Sequence, residues 1–191
     1  MIYKSRKLSL GEHEVILRSA TLDDAEMLQR YISTVCGETR FLLCESDEIG
    51  ITKEEELEFI KRHNESPDEM LILGFIDGKH AGNCSFEKVS GSRRYKHRVG
   101  IGIALYQRFA GLGLGRLMLN ALLEEVKSQG YEQAELTVKA NNMRAIHLYE
   151  SLGFVEYGRL PKADKYDDGT YDADILMVKT MEKEKVRSIP E

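Results

Sequence analysis

Apolar side chains recur at two spacings, every second residue and every third or fourth, and the switches between them mark the elements. Val15-Ile16-Leu17 makes a short strand. Thr21 precedes acidic Asp23-Asp24 and an apolar period, the pattern of a capped helix running to about Val35. Thr52 opens a second capped segment, Lys53 to His63, in which Leu57 and Ile60 share a face. Met70 to Ile76 and His80 to Val89 form a hairpin, because Asp77-Gly78-Lys79 between two apolar runs is a strong turn signal. Leu114 to Ser128 has Leu114, Leu117, Met118, Ala121, Leu122 and Val126 at helical spacing, with Gly130 as its stop. Ala134 to Lys139 is a strand and Asn142 to Leu152 a helix stopped by Gly153. Phe154 to Gly158 and Tyr171 to Lys179 are strands flanking the turn-rich Lys162 to Thr170.

The strand Arg98 to Tyr106 has an unusual pattern. Val99, Ile101, Ile103 and Leu105 alternate with Gly100, Gly102 and Ala104, so one face is bulky and the other nearly bare. Something is expected close to the bare face, either a helix seated on the sheet or the backbone of a ligand.

Composition narrows the partners. The 191 residues fit one compact domain, and 42% apolar with 31% charged residues and only 3 Pro is globular composition. Lys plus Arg number 27 against 32 Asp plus Glu, a net charge of −5, which argues against a broad cationic surface for nucleic acid or anionic lipid. Cys36, Cys44 and Cys84 form no C-x-x-C pair and have no zinc-ligand spacing, so no metal site is expected and the three read as reduced thiols of a cytoplasmic protein. Met1 to Leu10 carries Lys4, Arg6 and Lys7 with no apolar stretch behind them, unlike a signal peptide. Runs such as Leu71 to Ile76 are far too short to span a bilayer.

The chemistry concentrates in two places. The segment Gln107-Arg108-Phe109-Ala110-Gly111-Leu112-Gly113-Leu114-Gly115-Arg116 joins a strand to a helix. Its glycines can present several N–H groups to one point, and the helix start adds unpaired amides and a positive dipole end, which suits a pyrophosphate. Arg108 and Arg116 supply nearby charge. A purely structural turn is the other reading. A P-loop fails because Gly115 is followed by Arg116-Leu117, and G-x-G-x-x-G fails because positions 116 and 118 are Arg and Met. The second place is the helix after the next strand. Asn142 and Tyr149 lie two turns apart on one face, beside an apolar stripe of Ala145, Leu148 and Leu152. Asn142 reads as a helix cap or a ligand contact, and Tyr149 as a boundary tyrosine or a functional phenol.

Together these residues resemble the GNAT superfamily of acetyl-CoA-dependent N-acetyltransferases. Ala140 to Phe154 is similar to that family's Asn-x-x-Ala-x-x-Leu-Tyr-x-x-x-Gly-Phe signature at every fixed position, and the glycine turn precedes it at a suitable interval. The likeness is strongest over Arg98 to Phe154. One departure is Ala110, where the family usually has Arg or Gln five residues before the last turn glycine.

The resemblance implies an α/β (α+β) fold. It has a mixed, mostly antiparallel sheet of six to seven strands with about four helices, split where acyl-CoA binds. Residues 1–181 would form one domain and residues 182–191 a charged tail. It further implies that Ala104, Leu105 and Tyr106 run alongside the pantetheine, and that amides of Gly111, Leu112, Gly113, Leu114, Gly115 and Arg116 hold the pyrophosphate. Asn142 would contact the pantetheine arm and Tyr149 would act as proton donor. The expected reaction is direct acetyl transfer to a primary amine, with the thioester carbonyl polarised by the N–H of Leu105 or Tyr106. A phenol near pKa 10 protonating a thiolate near 8.5 is uphill by roughly 2 kcal/mol. Glu135, Glu87 or a water chain is the candidate for taking the amine proton, and none is assigned. The acceptor is a small-molecule or peptide amine, to be met by the first two helices with the Gly37 to Gly50 loop, and by the Leu160 to Tyr171 turn. Glu45, Asp47, Glu48, Asp164, Asp167 and Asp168 there are either cation-attracting or merely solvated. A homodimer is left open. A catalytically silent acyl-CoA sensor of the same fold is the alternative, ahead of a dinucleotide-binding protein.

Overall fold

The structure, a computed structural model, describes residues 1–45 and 47–181. The expected charged tail, residues 182–191, lies outside the described residues. One eight-stranded sheet has the order β1-β2-β3-β4-β5-β6-β8-β7. Its strands are β1 (Arg6–Leu10), β2 (His13–Arg18), β3 (Met70–Ile76), β4 (Lys79–Lys88), β5 (Arg98–Leu105), β6 (Gln133–Lys139), β7 (Val155–Lys165) and β8 (Tyr171–Thr180). Every neighbouring pair is antiparallel except β5 with β6. The helices are α1 (Ala25–Glu38), α2 (Lys53–Glu65), α3 (Leu114–Ser128) and α4 (Met143–Ser151).

The sheet is mixed and mostly antiparallel, with four helices, as expected, but it has one strand more. The extra strand, β1, is an edge whose only apolar members are Leu8 and Leu10, too few to stand out as a period, and it closes on β2 through Gly11 with φ +62°. β7 also outruns its prediction and reaches Lys165, because the irregular pairing between Leu160 and Asp164 carries the strand past a polar stretch.

Two apolar cores flank the sheet. On one side Leu28, Tyr31 and Val35 of α1 and Ile60 of α2 bury Leu71 and Leu73 of β3, and on the other α3 buries Met118, Leu119 and Leu122 against Ile72, Phe86 and Val99. β3 is therefore apolar at every position but one, since both its faces are covered. Each α1 or α2 start is a capping box: Thr21 with Asp24, whose carboxylate also binds Arg18 at 2.7 and 2.8 Å, and Thr52 with Glu55. α3 makes its tightest contact at Gly74, where an added β-carbon would lie 2.6 Å from Met118 Sδ.

One expectation is corrected. Cys36 and Cys44 form a disulfide, because the segment after α1 folds back and brings their Cα atoms to 5.7 Å, whereas Cys84 is a buried free thiol. The bare face of β5 is covered at one end and open at the other: Ala104 packs into the α1–α2 core, whereas Gly100 and Gly102 have no close neighbour, and α3 lies on the bulky face against Ile103 and Leu105. Among the described residues no helix is long and apolar enough to cross a membrane.

Candidate active site

The sheet opens between its two parallel strands. β5 and β6 pair at Arg98 with Gln133, Val99 with Ala134 and Gly100 with Glu135, and among the described residues the pairing stops there although both strands continue. In the β4–β5 ladder Gly82 faces Leu105, and the Tyr106 N–H donates to the Ala81 carbonyl at 3.0 Å. Antiparallel alternation then turns the polar groups of Ala104 and Tyr106 towards β4 and those of Ile103 and Leu105 into the opening. Of the two N–H groups considered for polarising a carbonyl, Tyr106 is thus excluded, being already bonded, and Leu105 remains. Gly82 makes the close approach possible, since a β-carbon there would stand 2.8 Å from Leu105 Cα.

At the end of β5 the chain makes a 3-10 turn, Gln107–Phe109, whose first N–H is taken by Glu38 Oε2 at 2.7 Å. The glycine segment follows, with φ +90° at Gly111 and +92° at Gly113, and α3 starts at Leu114. Among the described residues the N–H groups from Gly111 to Arg116 have no acceptor; Leu117 is the first to bond back, to the Gly113 carbonyl at 3.2 Å. Six neighbouring amides thus share the positive end of a fifteen-residue helix. Gly115 lets the parts meet: a β-carbon there would touch Leu148 of α4 at 3.4 Å and Leu105 of β5 at 3.5 Å.

Neither expected arginine has an ion-pair partner among the described residues: Arg116 donates to Ser151 Oγ at 2.7 Å, tying α3 to α4, and Arg108 stacks 4.3 Å above the Tyr106 ring. Arg144 also stands beside the turn. Its Nη2 lies 2.7 Å from where a Gly111 β-carbon would be, and it has no hydrogen-bond or ionic partner among the described residues. Residues 111 and 144 are brought together only by the fold. The available signal was an arginine in the first turn of a helix, where a cation opposes the dipole unless an anion is near.

Asn142 accepts from the Ala145 N–H at 3.2 Å and caps α4, which commits its carbonyl oxygen and leaves its NH2 group to bond elsewhere. Tyr149 and Ile146 are the buried side chains of α4, whereas Ala145, Leu148 and Leu152 are only half-buried, so the apolar stripe lies nearer the Asn142–Tyr149 face than the spacing suggested. The Tyr149 ring meets Phe154 edge-on at 5.9 Å. Burial raises its phenol to about 12. The hydroxyl has no partner among the described residues and is not sealed from solvent.

The bare face of β5 floors a cleft of about 340 Å³, bounded by Ser85 and Glu87 of β4, Glu135 and Thr137 of β6, and Tyr157 of β7. Space over Gly100 and Gly102 is open, the nearest atoms to an added β-carbon being 3.9 Å away. The two glutamates differ. Glu135 is clasped by Arg98, with Nη2 to Oε2 at 2.7 Å, and by Gln133 at 3.0 Å. Glu87 is exposed and has no hydrogen-bond or ionic partner among the described residues. Of the loop acids, Asp164 pairs with buried Lys139, as does Asp174 of β8, while Asp168 pairs with Arg40 at 3.8 Å and binds Thr170. Glu48 accepts from the Glu45 N–H, and Asp47 and Asp167 are exposed. No group of three His, Cys, Asp or Glu among the described residues could hold a metal ion.

An open parallel strand pair beside a cluster of unpaired amides at a helix N-terminus is an arrangement suited to an extended ligand that carries an anion. The model of the acetyltransferase (GNAT) family matches residues 38–154. A GNAT acetyltransferase from Streptococcus pneumoniae superposes with a TM-score of 0.83 at 29% identity, covering 87% of this chain and 99% of that one. The protein yncA from Salmonella typhimurium, solved with acetyl-CoA, gives 0.78 at 18% identity over 93% and 98%. Among curated proteins, YwnH of Bacillus subtilis (strain 168), named provisionally as a phosphinothricin acetyltransferase, is 26% identical over 84% of this chain and 96% of its own length. The ribosomal protein bS18-alanine N-acetyltransferase of Escherichia coli (strain K12) is 42% identical over 37% and 46%. The chain belongs to the acetyltransferase (GNAT) family, whose acetyl donor is acetyl-CoA.

Proposed function

We propose that this protein transfers the acetyl group of acetyl-CoA to a primary amine presented at the Leu105 end of β5 by a molecule lying in the cleft over Gly100 and Gly102. The observation that carries the proposal is the junction at Gly115: unpaired amides, the open side of β5 and the helix bearing Tyr149 meet within van der Waals contact. The residues fit the donor, because the six amides from Gly111 to Arg116 and the free Arg144 guanidinium suit a pyrophosphate, and the polar edge of Ile103 and Leu105 suits an amide-bearing arm. Acetyl-CoA supplies an activated acyl carbon.

The chain's own groups do the rest. The Leu105 N–H points to where negative charge develops on the carbonyl oxygen. The proton that the amine must lose leaves through water along the cleft towards Glu87, which the register sets opposite Gly100, five residues or about 16 Å along β5 from Leu105, and which has no partner among the described residues, whereas the oxygens of Glu135 already serve Arg98 and Gln133. Tyr149 gives its proton to the departing sulfur. With the phenol raised to about 12, that transfer is uphill by about 5 kcal/mol against a thiolate near 8.5, but a thiolate leaving in the same dehydrated opening is raised as well, which narrows the gap. The observed relatives named for amino-acid and ribosomal-protein substrates agree with an amine acceptor without choosing one. Incubating the protein with acetyl-CoA and a mixed set of amines, then weighing the products by mass spectrometry, tests the proposal. An amine heavier by one acetyl group is expected; binding of acetyl-CoA with no acetylated amine would favour the silent sensor.

A further inference from the structure

The segment joining β4 to β5 is chemically out of keeping with an acidic chain. From Lys88 to Arg98 it reads Lys-Val-Ser-Gly-Ser-Arg-Arg-Tyr-Lys-His-Arg, with five Lys or Arg, one His and no acid. Two of the cations are spoken for: Lys88 pairs with Asp68, and Arg98 with Glu135. Arg93, Arg94 and Lys96 are exposed and have no hydrogen-bond or ionic partner among the described residues. Like charges so crowded repel one another and are not neutralised locally, so the fold holds a small positive field at one place on a molecule of net charge −5.

That place adjoins the cleft and is fastened to it. Val89, at the near end of the loop, lines the cleft, as does Gly100 at the far end. The 3-10 turn Arg93–Tyr95 puts the Tyr95 ring 4.7 Å from the Arg98 guanidinium, which in turn clasps the cleft wall at Glu135. The His97 carbonyl accepts from the N–H groups of Glu132 and Gln133 at 2.9 and 3.1 Å, which ties the loop to the start of β6. A molecule whose amine is at the Leu105 end of the cleft lays its following length back over Gly102 and Gly100 towards a positively charged rim carrying two half-exposed apolar side chains, Val89 at 39% and Tyr95 at 40%.

We propose that Arg93, Arg94 and Lys96 select the acceptor, and that it is a polypeptide whose amine is followed by acidic residues. The proposal rests on the transferase reading and refines it. A free small amine would leave the rim unused, and a nucleic acid offers the cleft no aliphatic amine, so the charge and the cleft together favour an acidic peptide. The rim raises encounter rate and local concentration, and its effect falls with salt because the cations are exposed.

The test compares three synthetic peptides, alike in their first residue and bearing acidic, neutral or basic residues behind it, together with a small amine, all followed by thiol release from acetyl-CoA. The acidic peptide is expected to have the highest kcat/KM by about tenfold, and the advantage should shrink on adding salt. In R93S/R94S/K96S its KM should rise about tenfold while kcat, the KM for acetyl-CoA and the rate with the small amine stay as they are; R93E/R94E/K96E should prefer the basic peptide. The unchanged small-amine rate shows that the variants fold. Equal kcat/KM for all three peptides, or a preference the variants leave intact, overturns the inference while leaving the transferase in place. Salt-sensitive binding of a single-stranded oligonucleotide that the variants abolish, with peptide kinetics untouched, also overturns it. No thiol release above the acceptor-free rate with any peptide or with the small amine refutes the transferase reading itself.

Discussion

At the scale of single residues the proposed site depends on a few atoms with no partner among the described residues. The Tyr149 hydroxyl and the Glu87 carboxylate have no bond there, whereas the more obvious acid, Glu135, is occupied by Arg98. Tyr149→Phe should lower kcat by roughly 10²-fold and leave the affinity for acetyl-CoA within about twofold, measured by steady-state rates and calorimetry, because the ring packing on Phe154 survives the change. An unaltered kcat would remove the phenol from the reaction. Arg144→Ala should weaken acetyl-CoA binding by about tenfold at unchanged kcat, and Arg116→Ala should do less, since Arg116 is bonded to Ser151. Tyr149 and Asn142 were legible in sequence because their spacing is local to one helix. Arg144 was not, because its neighbour Gly111 is reached only through tertiary packing.

At the scale of elements the decisive feature is a strand that loses its partner halfway. β5 remains paired to β4 along its length, so its upper half stays extended while its other edge is open. The alternation of large and small residues announced that its two faces differ, yet could not say which would carry the helix. That depends on Gly74, two strands away, which admits Met118 and seats α3 on the bulky side. The glycines of the turn were readable because left-handed φ has few other solutions, whereas β1 was missed because an edge strand with two half-buried leucines has little period to detect. Gly82→Ala should destabilise the fold by about 1 to 3 kcal/mol in urea titration, through the clash with Leu105, and should lower kcat by moving the Leu105 N–H. An alanine variant as stable and active as the parent would mean that the register of β4 on β5 matters less than claimed.

At the scale of the whole molecule, a net charge of −5 and two cores around one sheet describe a chain whose proposed anion site is made of backbone amides, invisible to any count of charges. The family was legible from one signature and one turn because each is a continuous run of sequence, while the proposed acceptor contacts come from side chains of β4, β6 and their loops that no local pattern joins. Two buried histidines also tie global stability to pH. His63 and His80 are held below the ordinary value of 6.5, first by burial, so the unfolded chain binds protons more readily than the folded one. Their contribution is complete above 6.5 and lost as pH falls through the window from 6.5 towards the folded values, then levels off. Urea midpoints between about pH 5 and about pH 8 should therefore fall on the acid side, and a flat profile would contradict the buried-neutral assignment. The account as a whole turns on acetyl transfer, and free-thiol release from acetyl-CoA measured with and without a panel of amines tests it most directly. Release that requires an amine, and that yields one acetylated amine per thiol, is the predicted result. Tight binding of acetyl-CoA with no amine-dependent release across the panel would contradict it.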